Sequence, residues 1–293
     1  MNIMRKRLKI LCVALFLTLL SLPVTVRAEQ KHLKTTIRLG LIPRQDRDIV
    51  TLFQPVLEHL KQCLGTEIKA YSSDNYEGII RALAHQQVDF AYLGPKSYVE
   101  ATEKIEVEAL VSEMNKQGEP GYCGVIIAKK GNGIEDIEQA KNKIFAFTEP
   151  YSTSGYLVPG VAFARDIRID PKTYFKSVQF SGSHKASILG VKNGSIDVAA
   201  TNTIDLLTLK EGGKISDEDF IILWKSELIP GSPICARKSL PESLKQSFRS
   251  AMTGFKNKKA LERIGIGGFI LAEDKDYDII RELSRMKKKL SAK

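Results

Sequence analysis

At 293 residues the chain suits one large or two medium domains, and it has no internal repeat at a fixed period and no low-complexity tract. Its formal net charge of +10 is partly a property of the leader: residues 1–28 carry five basic and no acidic side chains, which leaves 39 basic against 34 acidic beyond them, or +5. That excess is spread out, densest at Arg285-Met286-Lys287-Lys288-Lys289, and without interleaved aromatic residues it is poor evidence for nucleic acid, so no such partner is expected.

The first 28 residues read as an export leader. Arg5, Lys6, Arg7 and Lys9 form a cationic start, Ile10 to Leu22 an apolar core, and Val26-Arg27-Ala28 a small-residue cleavage site after Ala28. The alternative is an uncleaved anchor, because the apolar run is long, although Pro23 argues against a span. Cys12 lies inside the apolar core, so no lipid anchor is expected. No other segment approaches the ~20 apolar residues of a membrane helix. Cys63, Cys123 and Cys235 allow at most one disulfide, and no pair has metal-ligand spacing. A domain of this size folds without covalent staples, and the reading is three buried free thiols.

After a polar stub at Glu29 to Thr35, Ile37 to Ile42 is a strand. From Asp46 to Leu64, Ile49, Val50, Phe53, Val56, Leu57 and Leu60 recur at helical spacing, with Pro55 either kinking that helix or marking its first turn. Then follow strand 66–71, helix 75–85, strand 88–93 closing on Gly94-Pro95, helix 96–103 and strand 107–114. Gln117 to Gly121 interrupts the alternation before strand 122–129. A second alternation runs to about Trp224: helix 134–140, strand 143–148, helix 154–166, strand 176–180, helix 184–192, strand 195–200 and helix 204–210. Pro230-Gly231-Ser232-Pro233 breaks the pattern again, followed by a short strand 234–236 and helices at 241–255, 258–264 and 277–289. Strands alternating with helices imply βαβ units and mainly parallel sheets. Two loop-rich crossings, near 115–122 and 225–233, separate two α/β halves; the chain leaves one lobe, builds the other and returns. A cleft between such lobes suits a small ligand, and two crossing segments make a hinge.

The stretch Glu149-Pro150-Tyr151-Ser152-Thr153-Ser154-Gly155-Tyr156 sits where a strand hands over to a helix. The first amides of a helix lack partners inside it and the dipole places partial positive charge there. A cap needs one hydroxyl; three in a row also suit an oxyanion, and both readings stand at this point.

Several other stretches carry a family resemblance together with Ser152 to Pro159. They are Asp74-Asn75-Tyr76-Glu77-Gly78-Ile79-Ile80, Val88-Asp89-Phe90-Ala91-Tyr92-Leu93-Gly94-Pro95 and Gly121-Tyr122. Ser181-Gly182-Ser183-His184, Gly194-Ser195-Ile196-Asp197-Val198-Ala199 and Ile229-Pro230-Gly231-Ser232-Pro233 complete the series. In this order the chain, over roughly residues 36–260, resembles the periplasmic phosphonate-, phosphite- and phosphate-binding proteins of ABC transporters, the PhnD-like family. The resemblance implies an α/β, two-lobed periplasmic binding protein of the second type, with a mixed, mainly parallel sheet in each lobe and a ligand cleft between them. Lobe one is then 36–118 plus 229–293, and lobe two 119–228.

Carried over by position, the family's anion cradle falls on Ser152, Thr153 and Ser154, with His184 from lobe two and Tyr76 and Tyr122 lining the cleft. Tyr76 at a helix start also reads as a core tyrosine, His184 as a helix-cap residue, and Tyr92 as core or cleft; His59 and His85 read as ordinary helix residues. Two positions depart from the aminophosphonate-binding branch, which has carboxylates for the ligand's ammonium where this chain has Ile204 and Ser232. Asp205 is one step along a helix, about 100° round, and does not simply substitute. The resemblance therefore implies a small phosphorus oxyanion without an amine, such as phosphite, methylphosphonate or a phosphate-like ion. It implies delivery to an ABC permease and its ATPase, by a monomer in the periplasm. A sensor presenting its lobes to a membrane kinase, or a binder of another small anion, are the alternatives. No Gly-x-Ser-x-Gly, HExxH, CxxC, GxGxxG or Walker A motif is present, so no catalysis, metal or cofactor is expected.

Overall fold

The computed structural model describes residues 36–43 and 48–291; the leader with Cys12, the stub at 29–35 and Asp46 lie outside the described residues. Strand β1 (Thr36–Leu41) leads to helix α1 (Asp48–Leu64), which buries Phe53, Val56, Leu57 and Leu60 at three- and four-residue spacing. Pro55 lies inside this helix and not in its first turn. Then come β2 (Glu67–Ser72), α2 (Tyr76–Ala84), β3 (Phe90–Tyr92), α3 (Pro95–Thr102) and β4 (Val107–Met114). The chain crosses to β5 (Gly121–Lys129), β6 (Ile144–Phe147), α4 (Val158–Ala162) within a longer helical stretch, α5 (Pro171–Tyr174), β7 (Ser177–Phe180), α6 (His184–Asn193), β8 (Val198–Asn202) and α7 (Thr203–Glu211). Strand β9 (Phe220–Pro230) returns to β10 (Pro233–Arg237), followed by α8 (Glu242–Gly254), α9 (Lys258–Ile264), β11 (Gly268–Leu271) and α10 (Asp278–Ser291).

Two sheets result, both within one compact unit. Sheet one has the order β11-β4-β10-β3-β1-β2 and sheet two the order β9-β5-β8-β6-β7. β1 pairs in parallel with β2 and β3, and β6 with β7 and β8. The first strand after each crossing runs against its neighbours: β5 is antiparallel to β8 and β9, and β10 to β3 and β4. β10 thus slots into the middle of sheet one, so that lobe cannot close its sheet until the other has been built. At the crossings β5 and β9 run side by side, with Tyr122 opposite Ile229 and Gly121 opposite Pro230. Gly231 has the Glu113 carbonyl oxygen only 2.0 Å from where a Cβ would lie, so no other residue fits that turn without a shift.

The central strands of each sheet are buried on both faces, as in parallel sheets covered by helices, while the edge strands β2, β7 and β9 are partly exposed. Under sheet one, Phe90 stacks on Phe248 of α8 with ring centres 4.0 Å apart. One side of sheet two gathers Phe145, Phe147, Phe163 and Phe175, and the other Val125, Ile127, Ile188 and Leu209.

The expected elements differ at five places, one of them the short helix α5, Pro171–Tyr174, which was not expected. Helix 134–140 is only a 3₁₀ turn, Glu138–Ala140. Its buried residues Ile134, Ile137 and Ala140 recur every third position, and the Asp136 and Gln139 side chains take the backbone amides of Gln139 and Glu135 in place of a helical ladder. Strands β9 and β11 were not expected; both are edge strands, and β9 has irregular burial and two register shifts, which blurs the two-residue alternation. Helix 154–166 exists as π turns at Thr153–Leu157 and Phe163–Ile167 flanking α4. Cys63 is exposed and Cys123 half-buried, so only Cys235 is the buried free thiol expected of all three.

Asp89 is fully buried and accepts from the Arg237 guanidinium at 2.9 Å and the Arg38 amide at 2.9 Å, tying β10 and β1 to the entry of β3. Asp89→Ala strands the half-buried Arg237 charge, and urea unfolding is expected to show a loss of about 3–5 kcal/mol with unchanged m.

Candidate functional site

After β6 the chain turns through Thr148 to Ser152 and enters the π turn Thr153–Leu157. Ser152 has extended backbone and its Oγ accepts the Gly155 amide at 3.0 Å, the expected cap. A Cβ on Gly155 would lie 1.6 Å from Thr148 Oγ1, so glycine is required for the turn to pack on the strand end. Pro159 cannot donate an amide to the helical ladder, which favours the widened π geometry just before it.

Only one of the three hydroxyls is spent on capping. Thr153 Oγ1 accepts the Lys96 amide at 2.8 Å, joining the π turn to the start of α3 beneath sheet one. Ser154 Oγ accepts the Asn202 amide nitrogen at 3.4 Å, and Ser152 Oγ stands 3.3 Å from His184 Nε2. All three residues are almost wholly buried. As the opening residues of a helical turn, Thr153 and Ser154 also have amides with no acceptor inside it.

His184 is the first residue of α6, behind the Ser183 cap, and its Nδ1 is 3.1 Å from Thr201 Oγ1. Asn202 caps α7 and donates to Asp205 Oδ2 at 2.6 Å, while its amide nitrogen lies 3.2 and 3.3 Å from the two ring nitrogens of His184. Asp205 Oδ2 is 3.9 Å from His184 Nδ1. Ser152, Ser154, His184, Thr201, Asn202 and Asp205 therefore form one buried polar network. Thr201 and Asp205 were not singled out as members of it; the Asn202-x-x-Asp205 capping spacing is the local signal that could have found the carboxylate.

Tyr76 opens α2 behind the Asn75 cap and is 2% exposed. A Cβ placed on Gly94 would be 3.7 Å from both the Tyr76 ring and Thr153 Oγ1, so the tyrosine and the threonine flank one glycine from opposite lobes. Tyr122 belongs to the face of β5 that carries Gly124, whose would-be Cβ is 3.4 Å from Ser154 Cβ, and it is buried in the same apolar cluster as Leu157 and Ile204. Ser152, Thr153, Ser154 and His184 are thus brought together where helix starts from the two lobes face each other, with Tyr76 across Gly94 and Tyr122 on the strand face that meets Ser154. Tyr92 resolves as core: it is fully buried, packs on Phe53 and donates its hydroxyl to Glu113.

Ile204 and Ser232 are both buried. Behind Ser232 stands an acid the sequence did not advertise: Glu113, fully buried on β4, accepts from the Ser232 amide at 3.2 Å and from the Tyr92 hydroxyl. The second unadvertised acid is Glu149, 7% exposed, whose Oε2 accepts the Tyr151 amide at 2.7 Å. Burial pushes its carboxyl pKa up, with Glu77 adding to the rise and the Tyr151 amide and Lys96 opposing it. A proton therefore binds the folded state more tightly. The charge penalty is absent below the ordinary value of 4.5 and complete once pH exceeds the raised one. Glu149→Gln should melt a few degrees (~2–4 °C) higher than wild type at pH 7, with the difference vanishing near pH 4 in a thermal melt.

Comparison with known proteins places this geometry. The chain matches the family described as ABC transporter, phosphonate, periplasmic substrate-binding protein over residues 39–277. It is 29% identical to the phosphonates-binding periplasmic protein of Escherichia coli, covering 95% of this chain and 85% of that one. A crystal structure of a binding protein component of an ABC phosphonate transporter from Pseudomonas aeruginosa superposes with a TM-score of 0.79 at 30% identity, covering 87% of each chain. The Prochlorococcus marinus protein PhnD1, solved in complex with methylphosphonate, shares the fold with a TM-score of 0.75 at 23% identity over 86% of this chain and 97% of that one. A two-lobed α/β scaffold with a hydroxyl-lined helix start between its lobes is accordingly what this sequence builds, and the chain belongs to the family of periplasmic substrate-binding proteins of ABC phosphonate transporters.

Proposed function

We propose that the protein captures a small phosphorus oxyanion that carries no amine, such as phosphite, methylphosphonate or a phosphate-like ion, and hands it as a monomer to an ABC permease and its ATPase. In this reading the leader is removed after Ala28, residues 36–118 with 229–293 form one jaw, and residues 119–228 form the other. The observation that carries the proposal is the contact at Thr153: its hydroxyl accepts the Lys96 amide at 2.8 Å, bringing two helix N-termini, one from each lobe, against each other. Two such termini concentrate partial positive charge and orphan amides at one buried point, which favours an anion. Ser152, Ser154 and His184 add hydroxyl and imidazole partners from lobe two, and Tyr76 and Tyr122 close the sides. The methylphosphonate held by the Prochlorococcus relative is of the same chemical class.

The absence of an amine rests on what surrounds the site. Ile204 is apolar and buried. Asp205 is engaged by Asn202, and Glu113 by Ser232 and Tyr92. An ammonium brought here would lose its water without gaining a carboxylate, at a cost of several kcal/mol, roughly 2–5. Hydrogen bonds to a charged ligand contribute about 1.5–3 kcal/mol each, so four or five, less association costs, leave a Kd between about micromolar and nanomolar. The protein binds its ligand without transforming it, and pure protein is expected to leave phosphate and phosphonate esters intact.

Isothermal titration is the direct test. Phosphite or methylphosphonate should bind in that range and 2-aminoethylphosphonate at least ~100-fold more weakly, which is about 2.7 kcal/mol; the reverse order would sink the ligand assignment. Replacing Ser152, Thr153 and Ser154 together by alanine should weaken binding by ~1,000-fold or more, from the loss of at least two charge-assisted hydrogen bonds.

A further inference from the structure

Helix α10 turns Ser284, Lys287 and Lys288 toward a cavity of about 370 Å³. Its other walls are Lys96 and Glu100 of α3 and Tyr156 and Leu157 of the π turn. Lys287 is the unusual member. Its Nζ lies 4.2 Å from the centre of the Tyr156 ring and 5.9 Å from that of Phe147. It also lies 2.0 Å from where a Cβ on Gly160 would be, so in this position the amine occupies space that a side chain at residue 160 would take.

Among the described residues no carboxylate or carbonyl pairs with the Lys287 ammonium. The one acid on the cavity wall, Glu100, is held by Lys96 at 2.8 Å. Ser284 Oγ, screened from solvent, has no hydrogen-bond partner among the described residues either. Burial, with Lys96 close by, pushes the Lys287 pKa down to about 8. The groups facing this amine are Lys96 and Glu100 from α3, Tyr156 from the π turn and Ser284 and Lys288 from its own helix. Three ammonium groups and a hydroxyl against one carboxylate complement a small anion with several acceptor oxygens.

We propose that this cavity is a second oxyanion site, distinct from the cleft at Ser152, Thr153 and Ser154, taking a small phosphate- or sulfate-like anion between Lys287, Lys288 and Ser284. Its walls are α3 of lobe one and the π turn of lobe two, the same two elements joined by the Lys96–Thr153 hydrogen bond. An anion here holds those elements together and so strengthens ligand capture in the cleft; this coupling, unlike the site itself, rests on the binding function proposed above.

The probe is inorganic phosphate, and the readout is the pH titration of the Lys287 side chain by NMR in protein carrying 13C-labelled lysine. The chain used has Ser152, Thr153 and Ser154 replaced by alanine, which disables the cleft. Phosphate is expected to raise the Lys287 midpoint by about one pH unit or more, because an adjacent anion favours the charged amine. In calorimetry on the wild-type chain, Lys287→Met and Ser284→Ala should each remove or weaken one phosphate-binding event and keep the other, at the lower affinity of a cleft without its coupled anion. A Lys287 midpoint that millimolar phosphate moves in neither the triple variant nor the wild-type chain, which keeps the Lys96–Thr153 bond between the walls, or isotherms unchanged in both single variants, would overturn the proposal. These single variants keep the test valid should the triple-alanine chain fail to fold. Loss of oxyanion binding only in the triple variant would leave the cleft function standing and remove the second site.

Discussion

The arrangement of this protein depends on one electrostatic constraint: helix N-termini from both lobes are brought to a single buried region. Tyr76, Thr153 and His184 each open a helical segment, Lys96 follows the proline that opens α3, and Asn202 caps α7. Every one of these starts follows a strand whose carboxyl end lies at the same edge of its sheet, the usual place for a site in an open α/β sheet. Converging dipoles of like sign repel, and their first amides are orphaned. Side-chain caps from Asn75, Ser152, Ser183 and Asn202 satisfy some amides. What remains is a buried region of partial positive charge, of the kind that favours an anion.

The topology makes that convergence adjustable. The two lobes are connected at the paired ends of β5 and β9, and β10 enters sheet one only after sheet two is complete. Nearly all the covalent burden of the junction thus falls on two short segments around Gly121 and Gly231, where backbone packs on backbone. The non-covalent burden is carried elsewhere, by Thr153 on Lys96, by apolar contacts of Leu157, Val158 and Ile204 with the sheet-one core, and by α10 lying against both α3 and the π turn. A junction of this kind moves by changing few backbone angles while each lobe keeps its packing.

The buried charges divide by role. Asp89 is matched by Arg237 and stitches sheet one together. Asp205 and Glu113 are matched by neutral donors, Asn202 in one case and the Ser232 amide with Tyr92 in the other. Glu149 and Lys287 are the imperfectly compensated ones, displaced in opposite directions, the acid upward and the amine down to about 8, and both lie beside α3 residue Lys96. Strain of this kind gathers where the lobes meet and not within either core, as expected when polar groups there also serve binding.

Much of this was legible in the chain itself. Hydrophobic spacing located α1, α2 and the buried strands, because those elements pack one face or both against apolar neighbours and the pattern records it. The hydroxyl run at Ser152 and the helix-opening positions of Tyr76 and His184 were likewise local signals. Edge strands β9 and β11 were not legible, since irregular burial leaves no alternation, and the turn at 138–140 replaced an expected helix because side chains took its amides. Spacing along the chain determined which residues begin helices. Only the tertiary structure decided that those beginnings face one another, that Glu113 stands behind Ser232, and that Lys287 lies over Tyr156, because each of these is a contact between segments far apart in sequence, set by how the sheets are threaded.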